Sequence, residues 1–134
     1  MTIRILLILV LISSNTILLG ASDTILWEGS LTKKSKSLQG KVQIVQRGRL
    51  QVLILDESFK TQSGPDLKIV FSPQKFADLN GNNAMNQAFF LALLKQTKGA
   101  QEYELPSDFD WKSHKSLLIH CEKYAVLWGG TSLE

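Results

Sequence analysis

The sequence contains one cysteine, two histidines and three prolines among its 134 residues. A single cysteine excludes an internal disulfide framework, because each disulfide needs two thiols. One cysteine and two histidines also lack the regular ligand spacing of a zinc site, so we predict no metal centre. Charged residues are 20% and hydrophobic residues 44% of the chain, which excludes a disordered polyelectrolyte, a collagen and a coiled-coil rod. The composition therefore predicts one globular domain.

Catalytic and nucleotide-binding motifs are also missing. The sequence Gly129-Gly130-Thr131-Ser132 follows an apolar run with no helix after it, so it is neither a phosphate loop nor a nucleophile elbow. The segment from Asp78 resembles a calcium loop, but Gly81 comes two places early and Phe89 stands where a bidentate glutamate is needed. The sequence thus contains no hydrolase, transferase or nucleotide-binding motif, and it leaves open whether the protein is an enzyme.

The N-terminus has the pattern of a secretory signal peptide. Arg4 precedes an apolar run, residues 5–12, and small residues follow at 20–22. Polar residues 13–16 interrupt the run, which therefore falls short of the ~20 apolar residues of a membrane-spanning helix. We predict a signal peptide over residues 1–22, a secreted or periplasmic location, and no stable membrane span after cleavage. An uncleaved anchor is the alternative.

Positive charge is concentrated early in the predicted domain, residues 23–134, although the formal net charge of the whole chain is only +3. Residues 33–49 contain no acid and carry six cations: Lys33, Lys34, Lys36, Lys41, Arg47 and Arg49. If the first hairpin folds over a sheet edge, five of them form one partner-binding surface for an anionic component: Lys33, Lys34, Lys36, Arg47 and Arg49. The alternative is a solvated segment whose lysines discourage edge pairing. So few cations in an exported chain do not indicate nucleic-acid binding.

Short alternating runs dominate the predicted domain. Residues 25–31, 42–44, 50–54 and 66–72 place apolar side chains at every second position, which is typical of strands. A tight turn is predicted at Gln46-Arg47-Gly48-Arg49, and another at Gly64-Pro65-Asp66, where the aspartate can bond forward to the backbone.

The second half contains further predicted strands and one short helix. Residues 84–95 fit either a helix or a buried strand, and we prefer a strand that pairs with residues 101–105. Ser107 is a candidate cap for a short helix through His114, and strands follow at 117–121 and 124–128. We predict an all-β domain, an antiparallel sandwich or barrel with one short helix.

Several short motifs, in this order, resemble the DM-thirteen domain family over about residues 25 to 133. They are Trp27-Glu28-Gly29, Phe59, Gly64-Pro65-Asp66-Leu67, Tyr103-Glu104-Leu105-Pro106, Ser116-Leu117-Leu118-Ile119-His120-Cys121 and Tyr124-Ala125-Val126-Leu127-Trp128-Gly129. The resemblance implies a β-sandwich in an extracellular or periplasmic setting with a role in electron transfer. It also implies that Cys121 is a naked redox thiol or a ligand to a prosthetic group such as haem. Two departures from the family, Lys36 or Ser37 in a histidine position and His120 in an aromatic or aliphatic one, weaken the haem model.

The residues themselves leave three roles open for Cys121. It shares a strand face with Leu117 and Ile119, which favours a buried and inert thiol. It can instead be a reactive thiolate, with Lys123 on the same face to stabilise the negative charge. Thirdly, it can link two chains.

His120 is the other supporting residue. Adjacent strand residues point to opposite faces, so His120 acts on the same ion or partner as Cys121 only if a bulge turns it inward. The cofactor is unknown, and haem is possible although no Cys-x-x-Cys-His motif attaches it. We expect an unknown redox or cell-surface partner. The alternative function is a noncatalytic binding module that uses the basic segment 33–49, with Trp27 or Trp111 as aromatic contacts and Trp128 in the core.

Overall fold

The computed structural model describes residues 22–134, and the predicted signal peptide lies outside the described residues except for Ser22. The described part of the chain forms eleven strands: β1 Asp23–Ser30, β2 Thr32–Lys33, β3 Leu38–Gln39, β4 Lys41–Arg47, β5 Leu50–Leu55, β6 Lys60–Thr61, β7 Leu67–Ser72, β8 Phe89–Leu93, β9 Gln101–Glu104, β10 Ser116–Cys121 and β11 Val126–Ser132. Two 3₁₀ turns, Phe76–Asp78 and Trp111–Ser113, are the helical elements of this region.

The longer strands form two antiparallel sheets. The first sheet has the order β1-β4-β5-β9, and the second has the order β2-β11-β10-β7-β8. A small ribbon pairs β3 with β6. Both large sheets are open, with β1 and β9, and β2 and β8, at their edges. Of the two predicted all-β architectures, the molecule is therefore the sandwich.

The core lies between the two sheets because each strand turns alternate side chains inward. Ile44 and Leu53 of the first sheet, and Ile69, Phe71 and Ile119 of the second, are at most 1% exposed and belong to one cluster. A smaller cluster covers the outer face of the second sheet, where Leu79 and Ala84 pack on Val70, Leu118 and Leu127. The second sheet is thus buried on both faces over much of its area.

The predicted hairpin is present. β4 and β5 pair from Val42 opposite Leu55 to Arg47 opposite Leu50, which leaves a two-residue turn. Gly48 has a φ of 59° in that turn, a left-handed conformation that glycine adopts without a Cβ clash.

The second half confirms most predicted strands and corrects the short helix. The strand preferred within residues 84–95 is β8, but its predicted pairing with residues 101–105 is wrong: β8 pairs with β7, and β9 pairs with β5. The strand predicted from 124 begins at Val126, because residues 122–125 form a turn. The helix predicted over residues 107–114 is reduced to the three-residue turn Trp111–Ser113, whose cap is Asp110: its carboxylate accepts from the Lys112 amide at 3.2 Å.

The helix is short because the side chain of Phe109, just before this turn, packs against the sandwich. The Phe109 ring stacks on Phe89 with centroids 4.0 Å apart and meets Phe71 edge-on at 5.0 Å. These contacts hold residues 106–109 in a turn against the sandwich, where Ser107 does not begin a helix.

Candidate functional site

Cys121 is the last residue of β10, a strand with neighbours on both sides. It pairs with Leu67 of β7 and with Val126 of β11. Its side chain belongs to the sandwich core and has 0% exposed surface. The free thiol is therefore sealed within the end of the second sheet.

The turn that follows Cys121 is held by charged neighbours from the start of β7. The backbone amide of Lys123 donates to Oδ2 of Asp66 at 3.0 Å. The Lys68 ammonium bonds Glu122 and lies 3.6 Å from Asp66, and the bond to Glu122 raises the pKa of Lys68. These contacts connect the entry of β7 to the turn at residues 122–125.

Trp128 forms another part of the wall around this end of the sandwich. Its indole Nε1 donates to the Gln62 carbonyl at 2.9 Å, and the side chain is 4% exposed, as predicted for a core residue. A Cβ at position 64 would lie 2.8 Å from Cζ2 of the ring, so only glycine fits there. Lys36 places its ammonium 5.9 Å from the ring centroid. Two of the motifs quoted from the sequence thus meet near the thiol.

His120 lies on the other face of the same strand. It stands opposite Lys68 and Leu127 and is 1% exposed, and among the described residues its Nδ1 has no hydrogen-bond partner. Burial lowers the pKa of the imidazole, against smaller opposing effects of Glu122 and Asp66. A bulge does occur beside His120, but the extra residue is Trp128 on β11. The bulge therefore does not turn His120 toward Cys121.

The structure corrects the position expected for Lys123. We expected it to share the strand face of Cys121, but the strand ends at Cys121 and Lys123 lies in the turn. Its side chain is exposed, with Nζ 5.5 Å from the Tyr124 ring centroid. Only its backbone amide takes part in the site, through Asp66.

The five cations predicted as one partner-binding surface lie in two separate regions, with the three lysines beside β11 and the two arginines at the far end of the first sheet. Lys33 is on β2 at the edge of the second sheet. The Lys34 ammonium donates to the carbonyls of Phe76 and Leu79, both at 2.5 Å, and burial lowers its pKa. Lys36 lies over Trp128.

Arg47 and Arg49 are at the far end of the first sheet, because Arg47 pairs with Asp23 whereas the lysines follow Ser30. The two ends of the eight-residue strand β1 are seven residue steps apart, which is roughly 23 Å. The condition for a single surface, a first hairpin folded over the sheet edge, is not met.

Arg47 is also neutralised. Its guanidinium bonds Asp23 at 2.7 Å and Glu102 at 2.8 Å, and these bonds lower the pKa of both carboxyl groups. The two acids come from the opposite edge strands β1 and β9, so the side chain extends across the outer face of the first sheet. Val45 and Val52, which pair on that face, are 1% and 4% exposed. Arg47 is therefore a cover for apolar surface.

The packing around Cys121 decides whether the prosthetic group implied by the resemblance fits. Ligand pockets of drug-sized molecules have volumes of about 300–1,000 Å³. A surface cavity of about 200 Å³ lies beside Leu67, lined by residues 64–67 and 93–97, and neither Cys121 nor His120 lines it. His120, the unpaired buried nitrogen base, faces the opposite layer. The residues around Cys121 therefore do not fit a haem.

Within residues 22–134 no group of three His, Cys, Asp or Glu side chains is placed to hold a metal ion. In the same part of the chain, no helix has the length and apolar character needed to cross a membrane.

A small antiparallel sandwich with one thiol, sealed at the end of an interior strand, is the class of domain that this geometry defines. The family model described as electron transfer DM13 matches residues 30–133. The chain belongs to this family. Comparison with curated proteins and with solved structures finds no match.

Sequence reasoning missed the role of Asp66. The sequence Gly64-Pro65-Asp66 predicts a turn in which the aspartate bonds to the nearby backbone. In the structure its carboxylate instead accepts from the distant backbone amide of Lys123. No local pattern contains that contact.

Proposed function

We propose that this chain is an exported electron-transfer protein whose redox group is the naked thiol of Cys121. Membership of the electron transfer DM13 family supports an electron-transfer-related role. The observation that carries the assignment to Cys121 is its position: the single thiol lies where the Gly64-Pro65-Asp66-Leu67 motif and the turn after β10 meet. The poor fit of a prosthetic group around it favours the thiol itself as the reacting group.

The reaction we propose is thiol–disulfide exchange with a partner disulfide. The Cys121 thiolate attacks one partner sulfur, an S–S bond forms between them, and the partner's own S–S bond breaks. The leaving thiolate takes up the proton that Cys121 lost. A dithiol reductant then attacks the Cys121 sulfur of the mixed disulfide, forms an S–S bond to it and releases the partner's second thiol. The other thiol of the reductant attacks its own bonded sulfur, closes a disulfide within the reductant and releases Cys121 as a thiol. The dithiol thus loses two electrons and two protons, and the partner disulfide gains both to become two thiols.

The test compares the domain over residues 23–134 with Cys121→Ser and Cys121→Ala. Each protein is mixed with an aromatic disulfide as the electron acceptor and dithiothreitol as the reductant. Mass spectrometry follows the mixed disulfide. The wild type should form one adduct and accelerate disulfide reduction, and both variants should do neither. Circular dichroism and urea unfolding of all three establish that the fold is kept.

One result would overturn this proposal: a thiol that reacts only at the rate of global unfolding, with equal reduction by all three proteins. Cys121 would then be a chemically inert core residue, and the noncatalytic binding module would become the better description.

Export is the second part of the proposal. The arrangement of Arg4, the apolar run and the small residues supports cleavage near Ala21 or Ser22. N-terminal sequencing of protein isolated from its native compartment should find Ser22 or Asp23 first. Recovery of an intact Met1 terminus in the membrane fraction would establish an anchor instead.

A further inference from the structure

Asp66 joins two segments that are far apart in sequence, directly beside Cys121. Its carboxylate accepts from the amide of Lys123, 57 positions along the chain. The residue after Asp66 is Leu67, and Leu67 is the strand partner of Cys121. The hydrogen bond therefore extends the pairing of β7 with β10 by one contact beyond the thiol. It closes the end of the sheet at that point.

The other contacts that hold this end are ionic and partly solvated. Lys68 bonds Glu122 on the turn and lies near Asp66, so one ammonium connects both segments. The side chains of Asp66, Lys68 and Glu122 are 25%, 19% and 46% exposed. Exposed ion pairs are individually weak and are screened by salt. The end of the sheet is thus held by bonds that are weaker than the packing of the core.

The turn itself carries backbone strain. Ala125 has a φ of 51°, a left-handed conformation that is unfavourable for a residue with a Cβ. Its amide donates to the Glu122 carbonyl at 3.0 Å, which closes the turn. On the outer side Gly81 packs so closely that a Cβ there would overlap the carbonyl oxygen of Ala125. Opening the turn relieves the strained conformation at Ala125.

We propose that Asp66 is a positioning residue that holds the thiol closed, and that release of its bond to the Lys123 amide admits a partner to Cys121. Because Cys121 is the last paired residue of β10, the backbone pairs that must separate are those with Leu67 and Val126, and the core contacts of the Cys121 side chain open with them. Local opening of a strand end is less costly than global unfolding. The partner's role rests on the proposed function, but the closed end of the sheet does not.

The experiment measures alkylation of Cys121 by iodoacetamide in the folded domain at fixed pH. Asp66→Ala should raise the alkylation rate about tenfold, because a hydrogen bond to a charged acceptor is lost. Asp66→Asn keeps an acceptor oxygen without the charge and should give a smaller increase. Charge is removed alike in both variants, so the difference between them reports on the hydrogen bond.

Asp56 provides the matched control. Its carboxylate also accepts from a backbone amide across strands, that of Lys41 at 3.1 Å, but it lies beside the first sheet. Asp56→Ala should lower global stability by a similar amount and leave the alkylation rate unchanged. Urea unfolding gives the stability of every variant, and Asp66→Asn serves as the test variant if Asp66→Ala does not fold.

Equal increases for Asp66→Ala and Asp56→Ala, or no increase for either variant of Asp66, would overturn the proposal. Alkylation that depends on urea as steeply as global unfolding does would also overturn it. If Cys121 becomes accessible as described but exchanges no disulfide, only the proposed redox function is contradicted. A redox-active Cys121 that is insensitive to Asp66 contradicts only the closure.

Discussion

His120 and Cys121 are consecutive residues of β10, yet their side chains lie in opposite layers. Cys121 belongs to the sandwich core, whereas His120 lies on the outer face opposite Lys68. Successive strand residues alternate, and the neighbouring bulge does not change this, since its extra residue is on β11. The imidazole is therefore buried on the face that carries Lys68, where the charges of Glu122 and Asp66 act on it, and the thiol belongs to the apolar core.

The first prediction concerns the pH dependence of stability. Because burial lowers the pKa of His120 below its ordinary 6.5, the unfolded chain takes up this proton more readily than the folded one. The contribution of His120 to the free energy of unfolding should be fully present above pH 6.5 and should decrease as the pH falls below that value. Lys68, Asp66 and Glu122 are the charged groups that act on the ring. Urea unfolding at intervals of about half a pH unit between pH 8 and pH 5 measures the slope of the unfolding free energy against pH.

His120→Gln is the control for that slope, because glutamine does not titrate. Asp23 and Glu102 also have lowered pKa values, but their stabilisation is lost only below their ordinary values of 3.8 and 4.5. An unchanged slope above pH 5 in His120→Gln would show that other groups cause the acid sensitivity.

The second prediction concerns Arg47. Arg47→Met keeps an apolar stem over Val45 and Val52 but removes both ion pairs, so stability should fall modestly and its dependence on salt should weaken. Arg49→Met, at the same hairpin, should change neither quantity to a comparable degree. Urea midpoints at low and high sodium chloride compare the two. Identical salt responses of both variants would contradict the role of Arg47 as a charged cover.

The third prediction tests which side chains of the first hairpin face the core. Ile44 is 0% exposed, so Ile44→Ala should cost about 2–5 kcal/mol of unfolding free energy through lost burial and a cavity. Leu50 is 45% exposed, and Leu50→Ala should cost less than about 1 kcal/mol. Urea unfolding gives both values. Similar losses for the two variants would contradict the observed register of the hairpin.

The fourth prediction concerns Gly64 and Trp128. Gly64→Ala introduces a Cβ 2.8 Å from the indole, so it should destabilise the domain by about 1–3 kcal/mol and shift the tryptophan fluorescence. In a Trp128→Phe background the smaller ring leaves room, and the same alanine should cost less. A double-mutant cycle by urea unfolding measures that coupling. Equal costs in the two backgrounds would show that the ring does not set the space at position 64.

Local patterns were sufficient for the strands and the tight hairpin, because alternation and turn chemistry depend on neighbouring residues. Local patterns do not predict the conformation of residues 107–114. That segment depends on contacts of Phe109 with Phe71 and Phe89, which lie on other strands. The predicted strand 117–121 ends at Cys121, as β10 does, but the expectation for Lys123 continued the strand alternation two residues beyond that end. The turn after it is held by Asp66 and Gly81, which are distant in the chain.

The sequence by itself determined that this is an all-β domain with one thiol and no disulfide, because periodicity and cysteine count need no knowledge of distant contacts. It also carried enough ordered motifs to resemble the correct family. Only the tertiary structure decided that Cys121 is sealed, that Asp66 closes the turn beside it, and that Arg47 is paired far from Lys33. Burial and ion pairing are properties of surfaces brought together by strand register, and register between distant strands is set by the packing of the whole sandwich.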